Sequence, residues 1–223
     1  TTPYGEPSDR ISIGKIKDKL FAFIPRHGRN HTIPPHRINH RANVWALKSL
    51  GVKYVIATCT VGIINRRIKP GSILLISDFI DFTHRVHTFY DKFHEKPVHV
   101  DMTTPYSTYL RTIIAQAARE LGLKIRKSCV YVNTKGPRFE TKAEIMMFKK
   151  LGADVVGMTS VPEVVLCNEI GIQYASVAVG TNYACGVTKK RLTVEEVVKT
   201  MKKREKTVVE LLKKSVELLK VEE

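Results

Sequence analysis

The strongest constraint on the fold is an alternation along the chain, in which short apolar runs are separated by segments of helical periodicity. The runs, several of them entered from Gly or Pro, are typical of buried strands. Strands that alternate with helices predict an α/β protein whose sheet carries helices on its faces. A length of 223 residues fits a single domain, residues 1–223. The predicted strands are residues 20–24, 54–58, 73–76, 129–132 and 174–179, and the predicted helices between them are 39–50, 108–121 and 141–151.

A long helix is predicted near the C-terminal end. Thr193 followed by Glu196 forms a capping-box pattern. Apolar residues then recur at helical spacing, which is typical of a helix that buries one face. The Lys and Arg residues between them are most simply the solvent-exposed face. The apolar stripe comprises Val194, Val197, Val198, Met201, Val208, Leu212, Val216 and Leu219.

Charge is the outlying feature of the composition. Lys and Arg number 37 against 21 Asp and Glu, a net charge of +16, which favours an anionic partner. A nucleic-acid surface would interleave exposed aromatic rings with the basic residues. The aromatic residues near the densest basic stretch are instead Phe21 and Phe23, in a predicted buried strand, and Trp45, in a predicted helix. We therefore expect a small anion rather than nucleic acid, although the charge alone leaves nucleic acid open.

Membrane attachment, export and bound metal are not expected. No apolar stretch approaches the roughly 20 residues of a membrane span, and the chain opens without the pattern of a signal peptide, so a cytoplasmic location is expected. The cysteines are scattered without a C-x-x-C motif, as in reduced proteins. Four histidines lie between residues 27 and 40, but Gly28 and Pro34-Pro35 interrupt helical spacing and no carboxylate or thiol lies nearby to complete a metal site.

A basic motif follows the first predicted strand. It reads Arg26-His27-Gly28-Arg29-Asn30-His31, within a stretch from Lys19 to Ser77 that contains no acidic residue. Ligands collect at strand ends in α/β sheets. Guanidinium groups supply forked donors to oxyanions, and an imidazole can donate as well. The motif therefore predicts a site for one phosphate-sized anion.

Three later segments carry further polar groups at the ends of predicted strands. In the segment 136–141, one interpretation makes Phe139 a core residue and Glu140 an acid in the first turn of a helix. The alternative is that a flat ring stacks on Phe139 while Glu140 accepts hydrogen bonds from the N–H groups of that ring. The segment 157–163 places hydroxyls at a helix start. The segment 181–186 presents Asn182, whose amide both donates and accepts.

Together these segments resemble the purine nucleoside phosphorylase and methylthioadenosine phosphorylase family, over nearly the whole chain. The resemblance implies an α/β fold around a mixed, distorted β-sheet flanked by helices, assembled as a homo-oligomer, a trimer or a dimer of trimers. The motifs that carry it are Arg-His-Gly-Arg-x-His, Asn39-x-Arg41-Ala42-Asn43-x-Trp45-Ala46-Leu47, Phe79-Ile80-Asp81, Gly136-Pro137-Arg138-Phe139 and Val156-Gly157-Met158-Thr159-x-Val161-Pro162-Glu163-Val164.

The resemblance implies phosphorolysis, a step of purine salvage. Phosphate, a co-substrate, attacks the anomeric carbon of a purine nucleoside and releases the free base and a sugar 1-phosphate, without metal or organic cofactor. The residues implied in catalysis are Asn182, Glu140 and His27. The resemblance assigns phosphate binding to Arg26, His27, Cys59, Thr60 and Thr159, and substrate binding to Phe139, Glu140, Met158, Asn182, Ala184, Val194 and, reaching into a neighbouring subunit, His99.

The base preference follows from two positions within the resemblance. Family members selective for 6-aminopurines carry Thr-Asp-Tyr-Asp where this chain has Thr181-Asn182-Tyr183-Ala184. Members acting on 6-oxopurines pair an Asn with a Glu such as Glu140, which accepts from the N1–H that adenine lacks. A buried polar partner left unpaired can discriminate by up to ~10⁴-fold. Inosine and guanosine are therefore the expected substrates, with a methylthioadenosine phosphorylase of relaxed base choice as the alternative.

Two departures from the family remain. Val194 stands where members that use ordinary ribonucleosides often have a His. An apolar residue there suits a 5′-methylthio group and adds methylthioinosine to the expected substrates; the other interpretation makes Val194 a core residue of its helix. The chain also begins after the position of the family's first strand and its Gly-Gly-Ser/Thr-Gly loop. Cys59 replaces a common hydroxyl and Ile63 a small residue, so an impaired nucleoside- or anion-binding homologue is the second alternative.

Overall fold

The computed structural model describes residues 1–84, 86–93 and 95–220. These residues form strands and helices in alternation, with one turn of 3₁₀ helix at Pro35–Arg37. The strands are β1 (Ser12–Ile16), β2 (Lys19–Phe23), β3 (Tyr54–Ile63), β4 (Ile73–Asp81), β5 (Ile125–Asn133), β6 (Val155–Gly157) and β7 (Gln173–Tyr183), and the helices are α1 (His40–Ser49), α2 (Thr108–Glu120), α3 (Lys142–Lys150), α4 (Ser160–Glu169) and α5 (Val194–Leu218).

Five of the strands close into a barrel in the order β3-β6-β5-β4-β7. β3 and β7 run parallel along their whole length, β4 is antiparallel to β7, β5 is parallel to both β4 and β6, and the antiparallel pairing of β6 with β3 closes the ring. The register shifts at Val61/Gly62 and twice in β4. The expected mixed, distorted sheet flanked by helices is confirmed.

The barrel is covered by helices on its outside, which explains why its strands read as continuous apolar runs. In β4, Leu74 and Ile76 join a core cluster with β5, β6 and α4, whereas Ile73 and Leu75 join a second cluster with α2 and α5. Alternate residues of one strand thus pack on opposite faces. All the predicted helices form, and none of the helices in the described residues is long and apolar enough to span a membrane.

The strand predicted at residues 20–24 forms, but the expectation that it is buried is wrong. β2 pairs with β1 as a two-stranded antiparallel hairpin outside the barrel. Leu20 and Phe23 are 74% and 57% exposed, and the Phe21 ring lies over Gly14 of β1. An apolar run predicts that a strand forms. It does not predict that the strand is buried, because the layer that would cover it comes from distant parts of the chain.

The predicted burial of the C-terminal stripe is also wrong in its first turns. Thr193 caps α5 by accepting from the backbone N–H of Glu196, whose carboxylate pairs with Lys190 at 2.9 Å. Val194 is 59% exposed, Met201 is partly buried against the core cluster of β4 and β7, and the first fully buried residue is Val208. The interpretation of Val194 as a core residue is therefore not supported by its exposure.

The contrast between hairpin and barrel gives a stability prediction. Leu74→Ala should lower the free energy of unfolding by about 2–5 kcal/mol, because it leaves a cavity in the core. Leu20→Ala, the matched change on the hairpin, should alter it by no more than about 0.5 kcal/mol. Urea unfolding of both variants measures the difference, and equal losses would contradict the assignment of β2 to the surface.

Candidate active site

Arg26 is anchored by its own guanidinium to the barrel and to α4. It follows β2, and its Nε and Nη2 donate to the two carboxylate oxygens of Glu163, with an Nη2–Oε2 distance of 2.8 Å. Nη1 donates to the carbonyl of Thr58 in β3 at 2.6 Å. Charge-assisted, two-point contacts of this kind fix a guanidinium in orientation as well as in place. The loop after the hairpin is thereby tied to the body of the protein.

His27 is held by the tight turn that the glycine of the motif allows. Gly28 has a φ of +74°, in the left-handed region that favours glycine. The His27 Nδ1 lies 2.9 Å from the carbonyl of Ile33, which can only accept, so Nδ1 carries the proton. Burial lowers the pKa of His27, the hydrogen bond to the Ile33 carbonyl opposes that effect in part, and the neighbouring His31 and Arg26 lower the pKa further. In the neutral ring, Nε2 is an acceptor and can bind a protonated phosphate oxygen. When Nε2 is itself protonated, it can donate to the phosphate instead.

Thr159 stands at the N-cap of α4, but other side chains cap that helix. The Tyr131 hydroxyl in β5 accepts from the backbone N–H groups of Thr159 at 3.2 Å and Ser160 at 3.5 Å. The Asn133 side-chain oxygen accepts from Val161. Among the described residues the buried Thr159 hydroxyl makes no capping bond, so a ligand can use it.

Glycine at position 157 is required by the same contact. A Cβ there would lie 2.4 Å from the Tyr131 hydroxyl oxygen, far inside any real contact. Without a side chain on Gly157, Tyr131 reaches the start of α4.

Cys59 and Thr60 directly follow Thr58 in β3, the residue whose carbonyl accepts from Arg26. The Cys59 sulfur is 3.6 Å from the Ser176 hydroxyl, and burial raises the pKa of its thiol. A neutral thiol can donate only weakly. Thr60 is exposed. Four of the five predicted phosphate residues are therefore associated with β3 and α4. Cys59 and Thr60 are in β3, Thr159 is the N-cap of α4, and Arg26 bonds both elements.

Glu140 and Phe139 lie in the loop between β5 and α3. The buried Glu140 carboxylate accepts from the Thr134 hydroxyl at 2.7 Å, and the Thr134 N–H donates to the carbonyl of Gly157. Burial raises the pKa of Glu140, and the Thr134 bond opposes that rise. Phe139 is 41% exposed, so the alternative that it is a core residue is wrong. The alternative of a first-turn acid is wrong as well, because α3 begins after its cap at Thr141.

Asn182 lies in β7 opposite Gly62 of β3. Its Oδ1 accepts from the Thr181 hydroxyl at 2.7 Å and its Nδ2 donates to the carbonyl of Tyr183 at 3.0 Å. An amide has two donors and two acceptor sites, so one of each remains for a ligand. Ala184 follows, with its N–H bonded to the carbonyl of Ile63.

The end of β7 adjoins the Glu140 loop. A Cβ on Gly186 would lie 2.5 Å from the Lys142 side chain, and the pKa of Cys185 is raised by burial and then by the charge of Glu140. Asn182 and Glu140 therefore belong to neighbouring segments.

Met158 connects the two groups of residues. A Cβ on Gly136 would lie 2.6 Å from the Met158 sulfur and 3.5 Å from Pro35. Three segments thus meet at one place: the loop that carries Arg26 and His27, the loop that carries Phe139 and Glu140, and the turn from β6 into α4. A ligand that spans them would have its anion near Arg26 and a ring near Phe139.

His99 lies apart from this junction. His99 is exposed, with its ring 5.8 Å from that of Phe93, and lines a separate cavity of about 310 Å³ with Glu169 at the C-terminal end of α4. Thr159 is at the other end of α4, a helix of 10 residues that is therefore about 15 Å long. Val194 is exposed at the start of α5. The described residues contain no group of three or more His, Cys, Asp or Glu that could hold a metal ion.

Three residues of the junction were missed by sequence reasoning. Glu163, Tyr131 and Thr134 each bond a predicted site residue. Of the three, only Glu163 lies within one of the motifs. An acid in the first turn of a helix is favoured by the helix dipole, so nothing in the sequence assigns Glu163 to the site.

Comparison with known proteins identifies the family. Residues 1–217 match the model of the Phosphorylase superfamily. The chain belongs to that superfamily.

Curated relatives match nearly the whole phosphorylase chain. The "Probable S-methyl-5'-thioinosine phosphorylase" of Methanopyrus kandleri is 50% identical over 220 residues, which are 98% of this chain and 84% of that protein. The "6-oxopurine nucleoside phosphorylase" of Pyrococcus furiosus is 47% identical, with 98% and 84% covered. Among solved structures, the methylthioadenosine phosphorylase from Schistosoma mansoni in complex with adenine superimposes with a TM-score of 0.94 at 35% identity, covering 98% of this chain and 83% of that one.

The cap of α4 gives the prediction for this phosphorylase. Tyr131→Phe leaves the Thr159 and Ser160 N–H groups without their acceptor and should lower the free energy of unfolding by about 1–3 kcal/mol. Tyr109→Phe, whose hydroxyl bonds the exposed backbone of Lys220, serves as control and should cost less than about 0.5 kcal/mol. Chemical unfolding of both proteins decides, and a Tyr131→Phe protein of unchanged stability would refute the capping role.

Proposed function

We propose that the chain is a purine nucleoside phosphorylase that prefers 6-oxopurine nucleosides: inosine, guanosine and methylthioinosine. The observation that carries the proposal is a buried glutamate, Glu140, beside a half-exposed ring, Phe139, in a loop that meets the Arg26 loop at Met158. The names of the relatives from Methanopyrus kandleri and Pyrococcus furiosus support this substrate class.

The reaction transfers a ribosyl group from the base to phosphate. As the glycosidic bond breaks, positive charge grows on the sugar and negative charge on the purine. A phosphate held by Arg26, His27 and the Thr159 hydroxyl stabilises the first charge and then bonds to the anomeric carbon. One well-placed donor to the second charge contributes ~3–4 kcal/mol, and the Asn182 amide is the candidate, at O6 or N7. Met158 packs against the ribose between them.

Base choice rests on the charge state of Glu140. An ionised carboxylate accepts from the N1–H of hypoxanthine or guanine, whereas adenine presents a lone pair there and is repelled. Burial raises the pKa of Glu140, and the Thr134 hydrogen bond counteracts this effect. Thr134 therefore helps to keep the acceptor ionised when the site is empty.

A methylthioadenosine phosphorylase is the second candidate. The "S-methyl-5'-thioadenosine phosphorylase" of Hyperthermus butylicus is 46% identical, with 96% of this chain and 77% of that protein covered. The Schistosoma mansoni structure is in complex with adenine. The absence of a carboxylate at Asn182 and Ala184 argues for the 6-oxopurine assignment.

The remaining expectations are proposals about the setting of the reaction. The four free cysteines support a reducing compartment, which we take to be the cytoplasm, with purine salvage as the role. The exposed position of His99 supports its use by a neighbouring subunit in a trimer or a dimer of trimers. Phosphate is the co-substrate, with no cofactor, and nucleic acid is not a partner.

A panel of nucleosides tests the function and separates the candidates. With phosphate present, hypoxanthine and guanine should be released from inosine, guanosine and methylthioinosine at least about tenfold faster than adenine from adenosine or methylthioadenosine. Glu140→Ala should remove most of the hypoxanthine release. Free base is measured by chromatography, with phosphate-free reactions as blanks. Faster adenine release by the unmodified protein would overturn the 6-oxopurine preference.

The pattern at the end of β7 gives a second test. Asn182→Asp combined with Ala184→Asp should raise the ratio of adenine to hypoxanthine release by about tenfold or more, because a carboxylate accepts from the 6-amino group and repels O6. Gln173→Glu, the same change from amide to acid at the other end of β7, should leave the ratio unchanged. A double variant that keeps the original ratio would show that these positions do not read the base.

A further inference from the structure

Glu163 is a buried carboxylate in α4 that lies close to side chains from three other segments. Its oxygens accept from Arg26 in the loop after β2 and, at 2.8 Å, from the Tyr174 hydroxyl in β7. The Nδ1 of His40, at the start of α1, lies 3.6 Å from its Oε1. Glu163 itself is in the first turn of α4, one turn after Thr159. Its side chain is only 9% exposed.

The bonds of Arg26 leave a defined set of donors. A guanidinium has five N–H groups. Glu163 takes the Nε–H and one Nη2–H, and Thr58 takes one Nη1–H. The two that remain are one on each η nitrogen, and neither lies on the edge that faces Glu163. The one on Nη2 points along the edge between the two η nitrogens, away from Glu163, where it can donate to an oxyanion.

The ion pair also sets the charge available to an anion. Burial alone would raise the pKa of Glu163, but the charge of Arg26 and its hydrogen bonds hold that pKa well below its usual range. Both partners are therefore ionised, and together they carry no net charge. An anion at Arg26 is attracted less by excess charge than by N–H donors that the ion pair holds in place.

We propose that Glu163 is the positioning residue for the phosphate site: it holds the Arg26 guanidinium so that an N–H group not bonded to the protein meets the incoming phosphate, while Tyr174 fixes the carboxylate in turn. This inference rests on the proposed function for the identity of the anion. It adds a residue that touches neither phosphate nor nucleoside and that acts through Arg26.

The expected signature is a change confined to phosphate. In Glu163→Gln one carboxylate oxygen becomes an amide NH2 group that faces an N–H donor of Arg26, so the two-point contact is lost and Arg26 can turn. Losing one or two charge-assisted bonds corresponds to about a 10- to 100-fold weaker contact. The phosphate Kd and the KM for phosphate should both rise by about that factor, with the KM for inosine within about twofold of the unmodified value.

Conservative and matched variants separate positioning from folding. Glu163→Asp keeps the charge and should give an intermediate phosphate Kd. Tyr174→Phe keeps both charges and should weaken phosphate binding by a few-fold, which tests the same network if Glu163→Gln does not fold. Asp154→Asn removes a half-buried carboxylate that pairs with Arg126 at 3.3 Å outside the junction, and it should leave phosphate binding unchanged.

The experiment is calorimetric titration of inorganic phosphate into each protein, followed by steady-state phosphorolysis of inosine. A folded Glu163→Gln protein that binds phosphate as the unmodified protein does would overturn the proposal, and so would a shift in the KM for inosine alone. An unmodified protein that binds no phosphate would overturn it too. The proposed function is decided separately, by release of free base from the unmodified protein.

Discussion

The ion pair of Arg26 and Glu163 is the interaction on which the arrangement of the candidate active site depends. Arg26 comes from a loop behind a hairpin that lies outside the barrel, so side-chain contacts hold the loop against the barrel. Burying each ion costs several kcal/mol of desolvation, which is offset only when nearly every donor and acceptor is matched. Here the matches come from β3, α4 and β7. The pair therefore specifies where the loop sits more than it adds to stability.

The two buried glutamates of the site show how the environment divides their roles. Glu163 faces a guanidinium, a phenol and an imidazole, and the pKa of its carboxyl is held low. Glu140 has one hydroxyl neighbour, and burial raises its pKa. The first carboxylate is saturated by protein groups and suits a structural role. The second has acceptor capacity to spare, which is typical of a group that binds a ligand.

Much of this architecture could be predicted from local patterns, and the failures have a common origin. Four of the five barrel strands and the first three helices follow from apolar runs and helical periodicity, and the segments containing Arg26, Glu140 and Asn182 follow from polar residues at strand ends. The burial of β2 and of Val194 was predicted wrongly because it depends on which layer covers each face. Glu163 was missed because its partner is 137 positions away.

The sequence by itself determined the strand–helix alternation, the motifs of the family and the choice of Asn182 and Ala184 where aminopurine enzymes have acids. These are properties of neighbouring residues, which act through spacing and side-chain chemistry. Only the tertiary structure decided that the sheet closes into a barrel, that Tyr131 rather than Thr159 caps α4, and that Arg26 is directed by Glu163. Those outcomes depend on pairings between distant segments, whose free energy is gained only when the chain has folded around them.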